Sequence, residues 1–333
     1  MGSIVDEFAA THSSQFGGDT LANRRAIARA GPAARGSDDL DAPEPDIRVD
    51  EALAAALVAA QHPDLTGPIS RLANGWDNVM FRLGDRHVVR LPRRSIAAGL
   101  VLHEQRWLPG IAERVHAPVP APVRIGRPAP ELGFDFPWSI LPWFDGDSAA
   151  DSSPAARAAA APALAAFVTE LGVPAPLDAP VNEYRGVPLA TRDAAVQARF
   201  ERGLPGGEAL RAVWQRALAA PAWSGPPVWL HGDLHPANLV LDASAGLSAV
   251  IDFGDVCAGD PACDLATAWV TFDGAARAVF RAEVDERRAT DAAMWDRARG
   301  WALVLGSAIV DTIGTEGRLG AVGVHALREV LVD

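Results

Sequence analysis

Between two short apolar runs the chain reads "VWLHGDLHPANLVLD", beginning at Val228, with two histidines, one aspartate and one asparagine in eight residues. Apolar runs of this length, bounded by glycine and proline, predict strands. Polar chemistry this dense is out of place in a plain strand pair. His231, Asp233 and Asn238 stand in the order H-x-D-x-x-x-x-N, and Asp252 follows fourteen residues after Asn238, in Asp252-Phe253-Gly254 at the end of the run Leu247 to Ile251. A strand-loop-strand hairpin is expected to bring these polar ends together.

That grouping has a chemical logic. Asp233 at the loop can accept a proton. Asn238 offers a neutral amide oxygen and Asp252 a carboxylate, both hard oxygen ligands suited to Mg²⁺. A base beside a metal clamp is what phosphoryl transfer from a nucleoside triphosphate to a hydroxyl requires.

The surrounding chain predicts an α+β plan. Residues 1–45, rich in Gly, Ser, Ala and Asp, read as a flexible leader with one short helix around Leu21 to Ala30. A helix follows over "DEALAAALVAAQHP", capped by Asp50 and ended before Pro63. "PISRLAN", "NVMFRLG" and "HVVRLP" read as three strands, with a tight turn at Gly84-Asp85. The helix from Ser95 is expected to break in two at Pro109. "VRIGRP" and "PWSILPWF" complete a mostly antiparallel sheet. Residues 46–144 thus form a sheet lobe, and 145–333 a larger, alanine-rich helical lobe, with polar loops and a cleft expected at the junction. In "MWDRARGWALVLGSAI" residues 294, 298, 301, 305 and 308 fall on one helical face.

Composition excludes several classes. The chain has 333 residues and a net charge of −12, a poor match for nucleic acid phosphates. All thirty basic residues are arginine, so a Walker-type G-x-x-x-x-G-K loop is impossible. No apolar stretch approaches the roughly 20 residues that span a bilayer. The two cysteines, Cys257 and Cys263, make no disulfide framework, and a reducing cytoplasm is the expected location. Gly232 and Pro236 argue against the helix that a zinc-binding H-E-x-x-H needs, and no G-x-S-x-G hydrolase motif is present.

At "HGDLHPAN", "IDFGD" and the later "GDPACDLA" the chain resembles the aminoglycoside phosphotransferase family, the small-molecule branch of the protein-kinase-like fold. The likeness runs from about residue 65 to 310 and implies a bilobal kinase-like architecture. It implies a cytoplasmic enzyme that moves the γ-phosphoryl group of ATP or GTP, with Mg²⁺, to a small hydroxylated acceptor. Nucleic acid and membrane are not expected partners. By resemblance Asp233 is the catalytic base, Asn238 and Asp252 hold the metal, and Asp264 braces the catalytic loop, with His231 and His235 supporting it. The family's usual lysine on the third strand is Arg90 here, with Glu104 as its partner on the next helix. Arg90 is longer and planar, so the exchange is not conservative. Asn74, Gly75, Trp76 and Asn78 occupy the position of the loop over the phosphates, although an ordinary hairpin turn explains the stretch equally well. Leu141, Trp143 and Phe144 occupy the hinge that would offer backbone groups to a purine, while Pro142 lacks a donor. Trp138 is expected in the core.

For the acceptor, acidic charge leans towards an aminoglycoside or amino sugar, with Asp255, Asp273 and Glu183 as candidates to pair with its ammonium groups. A macrolide is the alternative. A nucleotide-binding pseudoenzyme and a protein kinase are the competing classes. The first is opposed by the intact Asp233, Asn238 and Asp252, the second by the absence of an A-P-E-type segment after Asp252.

Overall fold

A computed structural model of the chain describes residues 45–74, 78–204 and 206–332. The expected leader, apart from Pro45, and the loop residues Gly75 and Trp76 lie outside the described residues. The chain divides into two compact units. The first comprises the described residues up to Glu113, with Pro118–Asp147 and Val250–Gly254. The second comprises Arg114–Ala117, Ser148–Ala249 and the described residues from Asp255 onward.

In the first unit, α1 (Glu51–Gln61) starts where Asp50 accepts the backbone N–H of Leu53 at 2.8 Å, which satisfies one orphan donor of the first turn. A five-stranded antiparallel sheet follows. It comprises β1 (Ile69–Asn74), β2 (Asn78–Leu83), β3 (His87–Pro92), β4 (Arg124–Gly126) and β5 (Trp138–Pro142), in the order β1-β2-β3-β5-β4. β2 and β3 are buried along almost their whole length, so they read as continuous apolar runs rather than as alternating ones. α2 (Ser95–Ala112) is one helix, not two. Pro109 sits in its last turn, and Glu113 still donates to the Pro109 carbonyl at 3.3 Å. Leu108 and Ile111 on either side of it are fully buried, so packing holds the last turn in place despite the missing N–H.

Trp138 anchors this unit's core. It is fully buried, its Nε1 donates to the Arg127 carbonyl at 3.1 Å, and it meets the His62 ring edge-on with centroids 5.4 Å apart. A Cβ at Gly126 would overlap its indole, so the strand opposite must carry glycine.

The second unit is built round the helix Ala292–Ile313. The sequence suggested one apolar face, yet its residues from Gly300 to Ser307 are buried without a break. It packs against the helix Gly317–Glu329 at close range. A Cβ on Gly306 would lie 2.9 Å from that of Ala326, and one on Gly323 would lie 2.8 Å from Ile309. Arg297 on the same helix pairs with Asp260, Nε to Oδ2 at 2.7 Å, with both side chains buried. No helix among the described residues is long and apolar enough to cross a membrane.

Replacing Trp138 by alanine removes the largest side chain of the first unit's core and leaves a cavity. The variant is expected to lose about 3–5 kcal/mol of stability. Urea unfolding of parent and variant measures the difference, and a loss under about 1 kcal/mol would be inconsistent with this packing.

Candidate active site

The strand Val228–Leu230 pairs antiparallel with Cys257–Gly259, Leu230 opposite Cys257. It leads into the loop 231–235, then into a single tight turn, Pro236–Asn238, and the strand Leu239–Leu241. Every residue from Val228 to Leu241 is buried. A loop with this many polar groups out of water must satisfy them internally, and the structure shows how.

Asp264, in the short helix Ala262–Leu265, accepts the backbone N–H of His231 on Oδ2 at 2.7 Å and that of Gly232 on Oδ1 at 2.9 Å. His231 turns its ring back, and Nδ1 accepts the N–H of Asp233 at 3.3 Å. His235 does the same one turn later, accepting the N–H of Ala237 at 3.1 Å. Asn238 donates Nδ2 to the Asp233 carbonyl at 2.7 Å. Each nitrogen acceptor must carry its proton on the other ring nitrogen, so both histidines are Nε2–H tautomers if neutral. Gly232 has φ of +82°, and a Cβ there would stand 2.5 Å from the Asp255 carbonyl oxygen. That position therefore takes glycine.

The Asp233 side chain is 3% exposed as a residue, and a buried carboxylate needs a counter-charge. Arg185 supplies one, with Nη2 3.3 Å from Asp233 Oδ1 and 3.8 Å from Asp255 Oδ2. Asn182 donates to the other oxygen of Asp255 at 2.9 Å. Sequence reasoning missed Arg185 and Asn182, because they lie in a proline-rich, aperiodic stretch. The available signal was indirect: a buried acid that needs a cationic partner can find only arginine or histidine in a chain without lysine.

In the first unit Arg90, on β3 opposite Ser139 and Met80, donates Nη1 to both Glu104 oxygens, 2.6 Å to Oε1. Both residues are buried. Burial pushes the Glu104 carboxyl up, Arg90 pulls it down, and the charge of Asp252 pushes it up again. Asp252 itself is buried and adopts φ of +66°, a left-handed conformation that a non-glycine residue holds only when its surroundings enforce it. Asn78 is also buried, and neither polar atom of its side chain has a hydrogen-bond partner among the described residues.

Asp273 caps the helix Gly274–Arg287, accepting the N–H of Ala276 at 3.0 Å, so its carboxylate is committed to the fold. Asp255 takes the Asn182 amide on Oδ1, while Oδ2 lies 3.8 Å from Arg185 Nη2 and has no hydrogen-bond partner among the described residues; Glu183 is exposed. At the expected hinge, Trp143 gives its backbone N–H to the Arg86 carbonyl at 2.8 Å, so that donor is not available to a purine. Its indole lies under the Arg82 guanidinium, 3.8 Å from ring centroid to Cζ. Leu141 is fully buried opposite Val88, and Phe144 is half-buried. An open apolar groove lined by Ala55, Val58, Leu65, Ile69 and Leu83 contains none of the candidate residues.

Asn238 Oδ1 is buried and has no hydrogen-bond partner among the described residues. With Nδ2 spent on the loop, this oxygen is oriented but unused, which fits a hard cation. No cluster of three or more His, Cys, Asp or Glu side chains that could hold a metal occurs among the described residues. Mg²⁺ on a nucleotide needs none, because phosphates and waters complete its shell.

The family model APH, described as phosphotransferase enzyme family, matches residues 68–301. No curated protein sequence matches the chain. Among solved structures, the GDP and kanamycin complex of APH(2")-IIia has a TM-score of 0.60 at 18% identity, over 83% of this chain and 97% of that one. The streptomycin-ATP-APH(2")-IIa ternary complex has 0.54 at 19%, over 80% and 90%. The apoenzyme of macrolide 2'-phosphotransferase MphH from Brachybacterium faecium has 0.55 at 21%, over 83% and 98%. At these identities the likeness is one of fold.

Burial raises the Asp264 carboxyl to about 6, against the pull of the two backbone N–H groups it binds. The folded chain keeps this proton in a range where the unfolded chain has lost it. Asp264 thus contributes stability that is full below about pH 4 and gone above about pH 6, roughly 3 kcal/mol in all. Urea titrations of parent and Asp264→Asn across that range test this. The parent's advantage should shrink as pH rises, and a difference flat in pH would overturn it.

Proposed function

The chain belongs to the phosphotransferase enzyme family, and on that premise we propose that it is a small-molecule kinase moving the γ-phosphoryl group of ATP or GTP to a hydroxyl of an antibiotic-like acceptor. The observation that carries this reading is the loop 231–238. It is wholly buried, its backbone is tied by Asp264, and it presents one carboxylate, Asp233, and one unused carboxamide oxygen, on Asn238.

In the reaction Asp233 accepts the proton of the acceptor hydroxyl as its oxygen forms a bond to the γ-phosphorus, while the bond to the β–γ bridging oxygen breaks and the nucleoside diphosphate leaves. Asn238 and Asp252 are the residues that would hold Mg²⁺, which supplies neutralisation of the phosphate charge when bound. Arg90, fixed through Nη1 by both Glu104 oxygens, supplies a buried positive charge for phosphate oxygens. Asn78, buried at the start of β2 and without a side-chain hydrogen bond among the described residues, is suited to a phosphate or ribose oxygen. Arranging these groups beforehand supplies most of the rate.

For the acceptor, an aminoglycoside or amino sugar is the first reading, on the net charge of −12. A macrolide is the second. It is favoured by Leu177 and Val181, large apolar side chains left exposed on the segment that carries Asn182 and Arg185. A panel of aminoglycosides, amino sugars and macrolides incubated with ATP or GTP, read by mass for the gain of one phosphate, separates the two.

Asp233→Asn should keep the fold and lose roughly 10²–10⁴-fold in turnover. Turnover equal to the parent's would remove Asp233 from the role of base. Asp252→Ala should weaken nucleotide binding in proportion to its dependence on Mg²⁺. Calorimetry across a magnesium titration reads this, and an unchanged profile would exclude Asp252 as a ligand.

A further inference from the structure

We propose that Arg185 is a positioning residue for phosphoryl transfer, which fixes the Asp233 carboxylate by one oxygen so that the other meets the acceptor hydroxyl. The inference rests on the reading of Asp233 as base. Asp233 Oδ1 is the oxygen Arg185 holds, with Nη2 at 3.3 Å, while Oδ2 lies 4.0 Å from His235 Nε2. The same Nη2 stands 3.8 Å from Asp255, whose other oxygen takes the Asn182 amide. Arg185 thus joins the base to the segment 182–185 through a single planar group.

Two further observations favour positioning over mere neutralisation. First, the backbone around Arg185 is held independently of its side chain. Pro180 accepts the N–H of Ala258 at 2.9 Å, and Gly186 accepts that of Asp260 at 2.8 Å. Gly186, at φ of +64°, lies so close to Gly259 that a Cβ there would be 3.0 Å from its Cα. The segment is therefore fastened to the strand Cys257–Gly259, the partner of the strand that leads into the loop. Removing the guanidinium leaves these fastenings in place. Second, Arg185 Nε is buried and has no hydrogen-bond partner among the described residues. A side chain kept for stability alone would be expected to use that donor.

The test uses the full chain, with transfer followed to the panel compound that the parent phosphorylates and, by phosphate release, to water. Arg185→Ala is expected to lower kcat roughly 10²-fold, with the KM for nucleotide within about twofold of the parent's. Guanidinium at millimolar concentration should restore part of kcat, and urea at the same concentration should not, because only the cation can occupy the space and hold Oδ1. An unchanged kcat overturns the proposal, and so does a fall that guanidinium leaves untouched. If circular dichroism shows Arg185→Ala unfolded, Arg185→Lys carries the test. A point charge in place of the fork should lower kcat below the parent's, and a kcat equal to the parent's overturns the proposal. Asp233→Asn is measured alongside. If it turns over as the parent does, the base reading itself fails. If it is impaired while Arg185→Ala is not, only the assignment of Arg185 falls.

Discussion

Asp264 receives two successive backbone N–H groups, those of His231 and Gly232, on its two carboxylate oxygens. Much else in the second unit depends on that fork. A backbone that turns sharply inside a protein exposes donors that water cannot reach, and each one left unmet costs about 1–3 kcal/mol. With both donors satisfied, the chain can reverse direction at Gly232 in a left-handed conformation and set Asp233 into a buried position. The histidines extend the same principle. Each bonds a backbone N–H two residues ahead, so the loop's own side chains add to the hold that Asp264 provides.

The second constraint is charge. Several acids in this chain without lysine are paired with arginine: Glu104 with Arg90, Asp233 and Asp255 with Arg185, Asp260 with Arg297. A guanidinium is planar, forked and weakly hydrated, so it loses less on burial than an ammonium and can bind two oxygens at once. Glu104 gains most from this, because its carboxyl is fully buried and also feels the charge of Asp252. Arg90 reaches both glutamate oxygens from one nitrogen, Nη1, and spreads its charge over a planar group.

The two thiols fit the same picture. Cys257 and Cys263 are buried, and burial holds both well above the ordinary range, so they pack as small apolar groups. Cys263 sits against the Gly232 carbonyl and Cys257 against that of Arg185, each at 3.9 Å, where any larger side chain would push the loop or its neighbour aside.

Local pattern alone determined much of this molecule. The cap at Asp50, the three strands from Ile69 to Pro92, the helix beginning at Ser95 and the order H-x-D-x-x-x-x-N followed by D-F-G all follow from neighbours a few residues apart, where periodicity, turn residues and motif spacing act. Tertiary structure decided the rest. Whether Pro109 breaks its helix depends on the packing of Leu108 and Ile111. Whether Asp273 and Asp255 are open to a ligand depends on Ala276 beside the one and on Arg185 and Asn182 beside the other. Arg185 meets Asp233 across forty-eight residues of chain. No period or composition in the sequence can express such a pairing, because the energy of a buried charge is set by what stands next to it in space.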